Sequence, residues 1–304
     1  MRRPRLKPDD QPLFYHLYNR VAGEPDFLPF GPREKERFVR LLKKLNRFYT
    51  VQVVSYQVMS NHFHLVVHVP QDPPEPEEIC RRYAAYYDGH RTLDPSSERC
   101  RLWGQRIRDI SWYMQSLQQQ FTRWYNRTRP TRRRGGLWAD RFKHTLLGDA
   151  RAVWECCKYV EMNSVRAGLA SNPAEYRFSS YGVWNGTGRH PFEANMGEAL
   201  LPFLEGQYFL QTPRQLMDAL RDAFAGIEGE AARPDGHLMY FTVYLNRRVR
   251  YWVDGLVIGS ELFMQNIVAR YKGALRKRQR GYARARAPDE SEIPLYCYKQ
   301  LRAI

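Results

Sequence analysis

Cysteine is scarce in this chain and poorly placed for cross-linking. Cys80, Cys100, Cys156, Cys157 and Cys297 are odd in number and show no Cys-x-x-Cys spacing. That pattern argues against a disulfide framework or a zinc knuckle and fits a reducing compartment. Long apolar runs are missing too. No stretch is long enough to span a bilayer, and the opening MRRPRLKPDDQP has no apolar core of a signal-peptide kind. The expectations are a cytoplasmic location and no membrane partner. No P-loop sequence and no internal repeat occur. Acidic residues are in deficit, 32 Asp and Glu against 48 Lys and Arg, for a net charge of +16. Such an excess favours a polyanionic partner such as nucleic acid.

With 304 residues, 43% of them hydrophobic, the chain supports one large domain or two smaller ones with packed cores. Phe14–Arg20 alternates like a first strand. Within Gly31–Tyr49, Phe38, Leu41, Leu42, Leu45 and Phe48 form a helical stripe. Strands are predicted at Val51–Met59 and His62–Val69, joined tightly around Ser60-Asn61. Residues 71–105, rich in proline and charge, read as an insertion with a short helix near Cys80–Tyr87. A second amphipathic helix covers Ser111–Arg127, and the second half of Leu137–Leu147 reads as a strand. A helix over Ala150–Leu169 stops at Gly168, where a C-cap belongs. The order β-α-β-β-α-β followed by a helix predicts an α+β fold: a ferredoxin-like split βαβ antiparallel sheet with helices on one face. Residues 1–200 would form this domain. Residues 201–304 would form a mostly helical C-terminal module with a basic tail, Arg270–Arg286 holding eight basic residues and no acidic one.

Chemistry concentrates at two places. A strand sends alternate side chains to one face, so His62 and His64 point together with Phe63 opposite, a natural half of a metal site. On the later helix Tyr159 and Asn163 are four apart and share a face. Asn163 can offer an oxygen ligand, and Arg166 on the same stripe can hold a phosphate oxygen. A polar stripe facing solvent fits that spacing equally well. Tyr125 lies near the basic loop TRRRGG but has no such partner a turn away.

Five segments carry a family resemblance. Val58–Val66 (VMSNHFHLV), Tyr159–Leu169 (YVEMNSVRAGL), Gly136–Lys143 (GLWADRFK), Phe178–Tyr181 (FSSY) and Tyr15–Arg20 (YHLYNR) resemble, in this order-specific set, the single-tyrosine HUH transposases. The branch is that of the REP-associated tyrosine transposases, and the likeness covers roughly residues 12–185. Asp254–Ser260 (DGLVIGS) is similar to a segment of longer members. The resemblance implies a metal-dependent endonuclease and strand transferase. Tyr159 would be the nucleophile, with His62, His64 and Asn163 as ligands of Mg2+ or Mn2+; insertion-sequence relatives usually carry glutamine at the last position. It also implies single-stranded or hairpin DNA as partner, a covalent 5′-phosphotyrosine intermediate, and action as a monomer or homodimer. Arg132, Arg133, Arg134, Arg141 and Lys143 are then candidates for DNA-backbone contacts, and Trp138 for stacking on a base. A solvated loop and a core indole are the plain alternatives for these. Two other functions compete: a domesticated, non-catalytic DNA-binding protein, and a metal nuclease that uses water.

Overall fold

A computed structural model describes residues 5–8, 11–231, 252–253, 255–271, 283–285 and 295–299. Most of the expected basic tail, and much of the segment before residue 255, lie outside the described residues. The fold is α+β. Strand β1 (Leu13–Arg20) leads into helix α1 (Pro32–Phe48), then β2 (Gln52–Val58) and β3 (His62–Val69). Helices α2 (Pro76–Tyr86), α3 (Glu98–Ile107) and α4 (Ile110–Arg127) follow, then β4 (Lys143–Leu147) and α5 (Ala150–Glu161). The proline-rich insertion therefore holds two helices where one is expected. Ser97, whose hydroxyl accepts the Cys100 N–H, starts the second.

The four leading strands stand in the order β2-β3-β1-β4, all antiparallel, as a split βαβ sheet requires. One face carries Leu17, Phe63, Leu65 and Val67, which pack with Phe38, Leu42 and Leu45 of α1 and Leu117 and Phe121 of α4. Helices also cover the second face, beyond the single layer expected. There Phe14, Val54, Val66 and Leu147 pack under α5 and under residues of two later helices, Leu201–Tyr208 and Pro213–Ala231. The reason is visible in β1 and β3: on the second face Phe14 and Val66 are buried together with His16 and His64, so that face also needs a cover.

The sheet is also larger and mixed. Strand β5 (Gly255–Gly259) lies parallel to β4, pairing Leu146 with Val257 and Leu147 with Ile258. Two further strands, Ala283–Ala285 and Leu295–Lys299, extend it to seven. All five β5 residues are buried. A short apolar run bounded by glycines, Gly-Leu-Val-Ile-Gly, is the signature of a strand buried on both sides. It covers the otherwise unpaired edge of β4. No described helix is long and apolar enough to cross a membrane.

Candidate active site

The tyrosine helix is short, and its break shapes the site. It begins at Asp149, whose carboxylate accepts the Ala152 N–H at 2.8 Å and also holds the Ser260 N–H after β5. It ends at Glu161 rather than running to Gly168. After Met162 a separate turn, α6 (Asn163–Arg166), follows. The Asn163 amide nitrogen donates to the Tyr159 and Val160 carbonyls, both at 3.1 Å, in competition with the helix's own N–H groups. Gly168, with φ of +64°, closes the segment in the left-handed conformation expected of a C-cap.

These elements bring the expected residues together within one chain. The Tyr159 ring meets His64 edge-on with centroids 5.6 Å apart, and the His62 and His64 rings are 5.2 Å apart. Asn163 and Arg166 lie beside Tyr159, the Arg166 guanidinium 4.1 Å from the ring centre. Tyr159 is only 3% exposed, because the Trp252 indole stacks on it at 5.6 Å from the other side. Burial pushes the Tyr159 phenol up to about 12, and Arg166 draws it back toward its ordinary value. Burial likewise lowers His62 to about 4 and His64 well below its ordinary range, so both imidazoles are neutral at pH 7.

The donor set toward a metal follows from hydrogen bonds. His62 Nδ1 is 2.7 Å from Asn61 Oδ1, and His64 Nδ1 is 2.9 Å from His16 Nε2. In each ring Nε2 is the nitrogen these bonds leave over. Asn163 Oδ1 instead accepts a hydrogen bond from Arg166 Nη2. Among the described residues no group of three His, Cys, Asp or Glu forms a metal cluster. A divalent ion placed here could meet two neutral imidazoles and, with Arg166 turned away, one amide oxygen, a set that by ligand preference suits Mn2+ better than Mg2+.

Two residues that local spacing does not single out also build the site. His16 reaches the site because β1 pairs His16 with Val66, making His64 its diagonal neighbour on the same face. Glu161 is the other. Its carboxylate accepts from the hydroxyls of Ser55, at 2.8 Å, and Ser180, and from the Tyr181 N–H at 3.2 Å. The tyrosine helix is thereby bolted to β2 and to the start of α7 (Ser180–Thr187). Burial pushes this carboxyl up, while the two serine hydroxyls pull it back. Glu161 follows Tyr159 by two positions, so helical spacing offered no reason to group them.

The basic candidates divide by placement. The loop carrying Arg132 and Arg134, both exposed, joins the histidine end of the sheet: Ala139 N–H bonds the Arg20 carbonyl, and Arg20 pairs with His62. Arg141 is exposed nearby, and Lys143 lies 6.0 Å over the Tyr18 ring, which itself is 4.8 Å from His64. Arg133 is tied down, donating to Asn126 Oδ1 and the Gly136 carbonyl. Trp138 packs against Phe30, Phe38, Phe63 and Phe121 on the α1 and α4 side, away from the histidines. Tyr125 is buried on that side as well.

Neutral histidine is a wider feature of this fold, with a consequence for acid stability. Burial lowers His68 and His190 to about 4 and His144 to about 3. Between these values and the ordinary 6.5, an unfolded chain binds protons that the folded chain refuses, so stability falls as pH falls through that window. For a fully buried ring such as His190 the loss reaches a few kcal/mol, about 1.4 kcal/mol per pH unit. Thermal unfolding followed at pH 7.5, 6.5, 5.8 and 5.0 should show a melting temperature that drops steadily below 6.5. A constant melting temperature across that range would contradict neutral burial.

No family model matches the chain, and no curated protein matches it. A search of solved structures finds similarity to one described as a REP-associated tyrosine transposase bound to a REP hairpin. The alignment has a TM-score of 0.40 at 14% identity and covers 63% of this chain and 88% of that one.

Proposed function

We propose that this chain cleaves and rejoins single-stranded DNA beside a hairpin, through a covalent link between Tyr159 and the 5′-phosphate. The observation that carries the reading is the meeting of Tyr159 with the His62–His64 pair inside a single chain. His62, His64 and Asn163 would hold a divalent ion, Mn2+ or Mg2+. Bound there, such an ion would polarise the phosphate and favour the phenolate.

The chain's own residues supply the remainder. Arg166 Nη1 is buried without a hydrogen-bond partner, next to the phenol. A phosphate oxygen is its natural partner, since a guanidinium pairs well with two oxygens at once. As Arg166 turns to the phosphate it releases Asn163 Oδ1. Tyr159 Oη then attacks phosphorus, a P–O bond to the phenol forms and the bond to the 3′-oxygen breaks. The 3′-oxygen takes up a proton as the phenol gives one to solvent. Bond energy is kept in the phosphotyrosine, so rejoining needs no nucleotide hydrolysis. Arg132, Arg134, Arg141 and Lys143 would track the DNA backbone, while Arg133 and Trp138 hold the loop that presents them.

A labelled hairpin oligonucleotide with a single-stranded flank, incubated with the protein and Mn2+, should give a denaturant-stable protein–DNA band. Cleavage with no such band would favour a water-using nuclease, and binding with neither would favour the non-catalytic reading. Hairpin affinity should also fall steeply between 50 and 200 mM salt, by about tenfold or more if several phosphates are neutralised. Replacing Arg132 and Arg134 together by alanine should flatten that salt slope.

A further inference from the structure

Three groups in a row, a carbonyl and two imidazoles, fix the state of His64. The Trp252 carbonyl is 2.9 Å from His16 Nδ1, and His16 Nε2 is 2.9 Å from His64 Nδ1. The two imidazole planes are nearly parallel, inclined by 7° with centroids 5.1 Å apart, and each ring is only 1% exposed. A carbonyl can only accept, so His16 Nδ1 carries the hydrogen. A neutral imidazole has one N–H, so His16 Nε2 is the acceptor of the second bond. The donor of that bond must then be His64 Nδ1–H. His64 is left with its lone pair on Nε2. A free neutral imidazole prefers the opposite tautomer, with hydrogen on Nε2, which cannot ligate through that atom.

We propose that His16 is a positioning residue: by bridging the Trp252 carbonyl and His64 Nδ1, it holds His64 in the tautomer whose Nε2 lone pair is free for a metal ion. This rests on the function proposed above, in which His64 is a ligand. The same two rings meet Tyr159 edge-on, at 5.7 Å for His16 and 5.6 Å for His64, so the bridge also sets the wall against which the phenol lies. A histidine ligand whose other nitrogen is held in this way typically loses 10- to 100-fold in metal affinity when the support is removed, an effect of about that order expected here.

The tautomer can be read without metal or turnover. In the 15N-labelled, chelator-treated protein at pH 7, ring 1H–15N correlations should show His64 protonated on Nδ1, its signals assigned by their loss in His64→Gln. His16→Phe keeps the ring's volume and removes both nitrogens. His64 should then shift toward the Nε2–H form and calorimetric Mn2+ affinity should weaken about 10- to 100-fold. His16→Gln, whose amide oxygen reaches the Nε2 position, should restore much of both. Wild-type His64 found in the Nε2–H form would overturn the proposal even if a variant failed to fold. So would an unchanged tautomer and unchanged Mn2+ affinity in His16→Phe. Should the wild type form a DNA adduct and bind Mn2+ while His16→Phe changes neither reading, the bridge is wrong and the function stands. Should His64 depend on His16 as stated while no adduct ever forms, the bridge is right and the function is wrong.

Discussion

Tyr159→Phe is expected to abolish the covalent protein–DNA band and lower strand cleavage by on the order of 10^4-fold or more, as removal of a nucleophile does. The fold should survive, because only one hydroxyl is lost from a ring that still packs on Trp252 and meets His16 and His64 edge-on. Hairpin affinity should stay within a few-fold, since the phenol is almost wholly buried and presents little surface to bind. Gel shift, denaturing gel and thermal unfolding on the same preparation separate these effects. A residual band at wild-type intensity would remove Tyr159 from the mechanism. A lost band with intact cleavage would hand the chemistry to water.

Stability should suffer most at Glu161. Truncation to alanine removes the carboxylate that the Ser55 and Ser180 hydroxyls and the Tyr181 N–H share in a closed interior. A donor left unpaired there costs about 1–3 kcal/mol, and the Ser180 hydroxyl keeps the Ser55 Oγ and the Tyr56 carbonyl within 3.5 Å. With one or two donors left unpaired and the cavity of the lost side chain, Glu161→Ala should cost about 3–5 kcal/mol. Because Ser55 stands on β2 and Ser180 opens α7, the damage would concentrate on the tie between the tyrosine helix and the sheet. Glu161→Gln keeps the shape but turns one acceptor into a donor facing donors, and should cost less. Chemical denaturation gives the two numbers directly. Near-wild-type stability for Glu161→Ala would mean that these hydrogen bonds find replacements elsewhere.

Both residues stand two positions apart on one helix, yet only Tyr159 could be picked out of the sequence. The difference lies in range. Tyr159 and Asn163 are helical neighbours, and His62 and His64 strand neighbours, so local periodicity groups each pair before any fold is known. Glu161 finds its partners at Ser55 and Ser180, 106 and 19 residues away. The break after Glu161 was equally invisible, because the Asn163 side chain that competes for the helix carbonyls is also acceptable within a helix. Strand β5 could have been read from its glycine-bounded apolar run, but nothing local says that it runs beside β4.

The sequence by itself determined the kind and order of the first elements, the shared face of His62 and His64, and the proximity of Tyr159 to Asn163 and Arg166. Two periods, 2.0 and 3.6, suffice for these. Tertiary structure alone decided which element faces which. It laid α5 across the histidine face and gave the other face to α1 and α4. It set the β1–β3 register that makes His16 the diagonal neighbour of His64. It also brought Trp252 back over the site, its ring on Tyr159 and its carbonyl on His16. Such pairings depend on register and on chain return over 236 residues, for which one-dimensional spacing carries no signal.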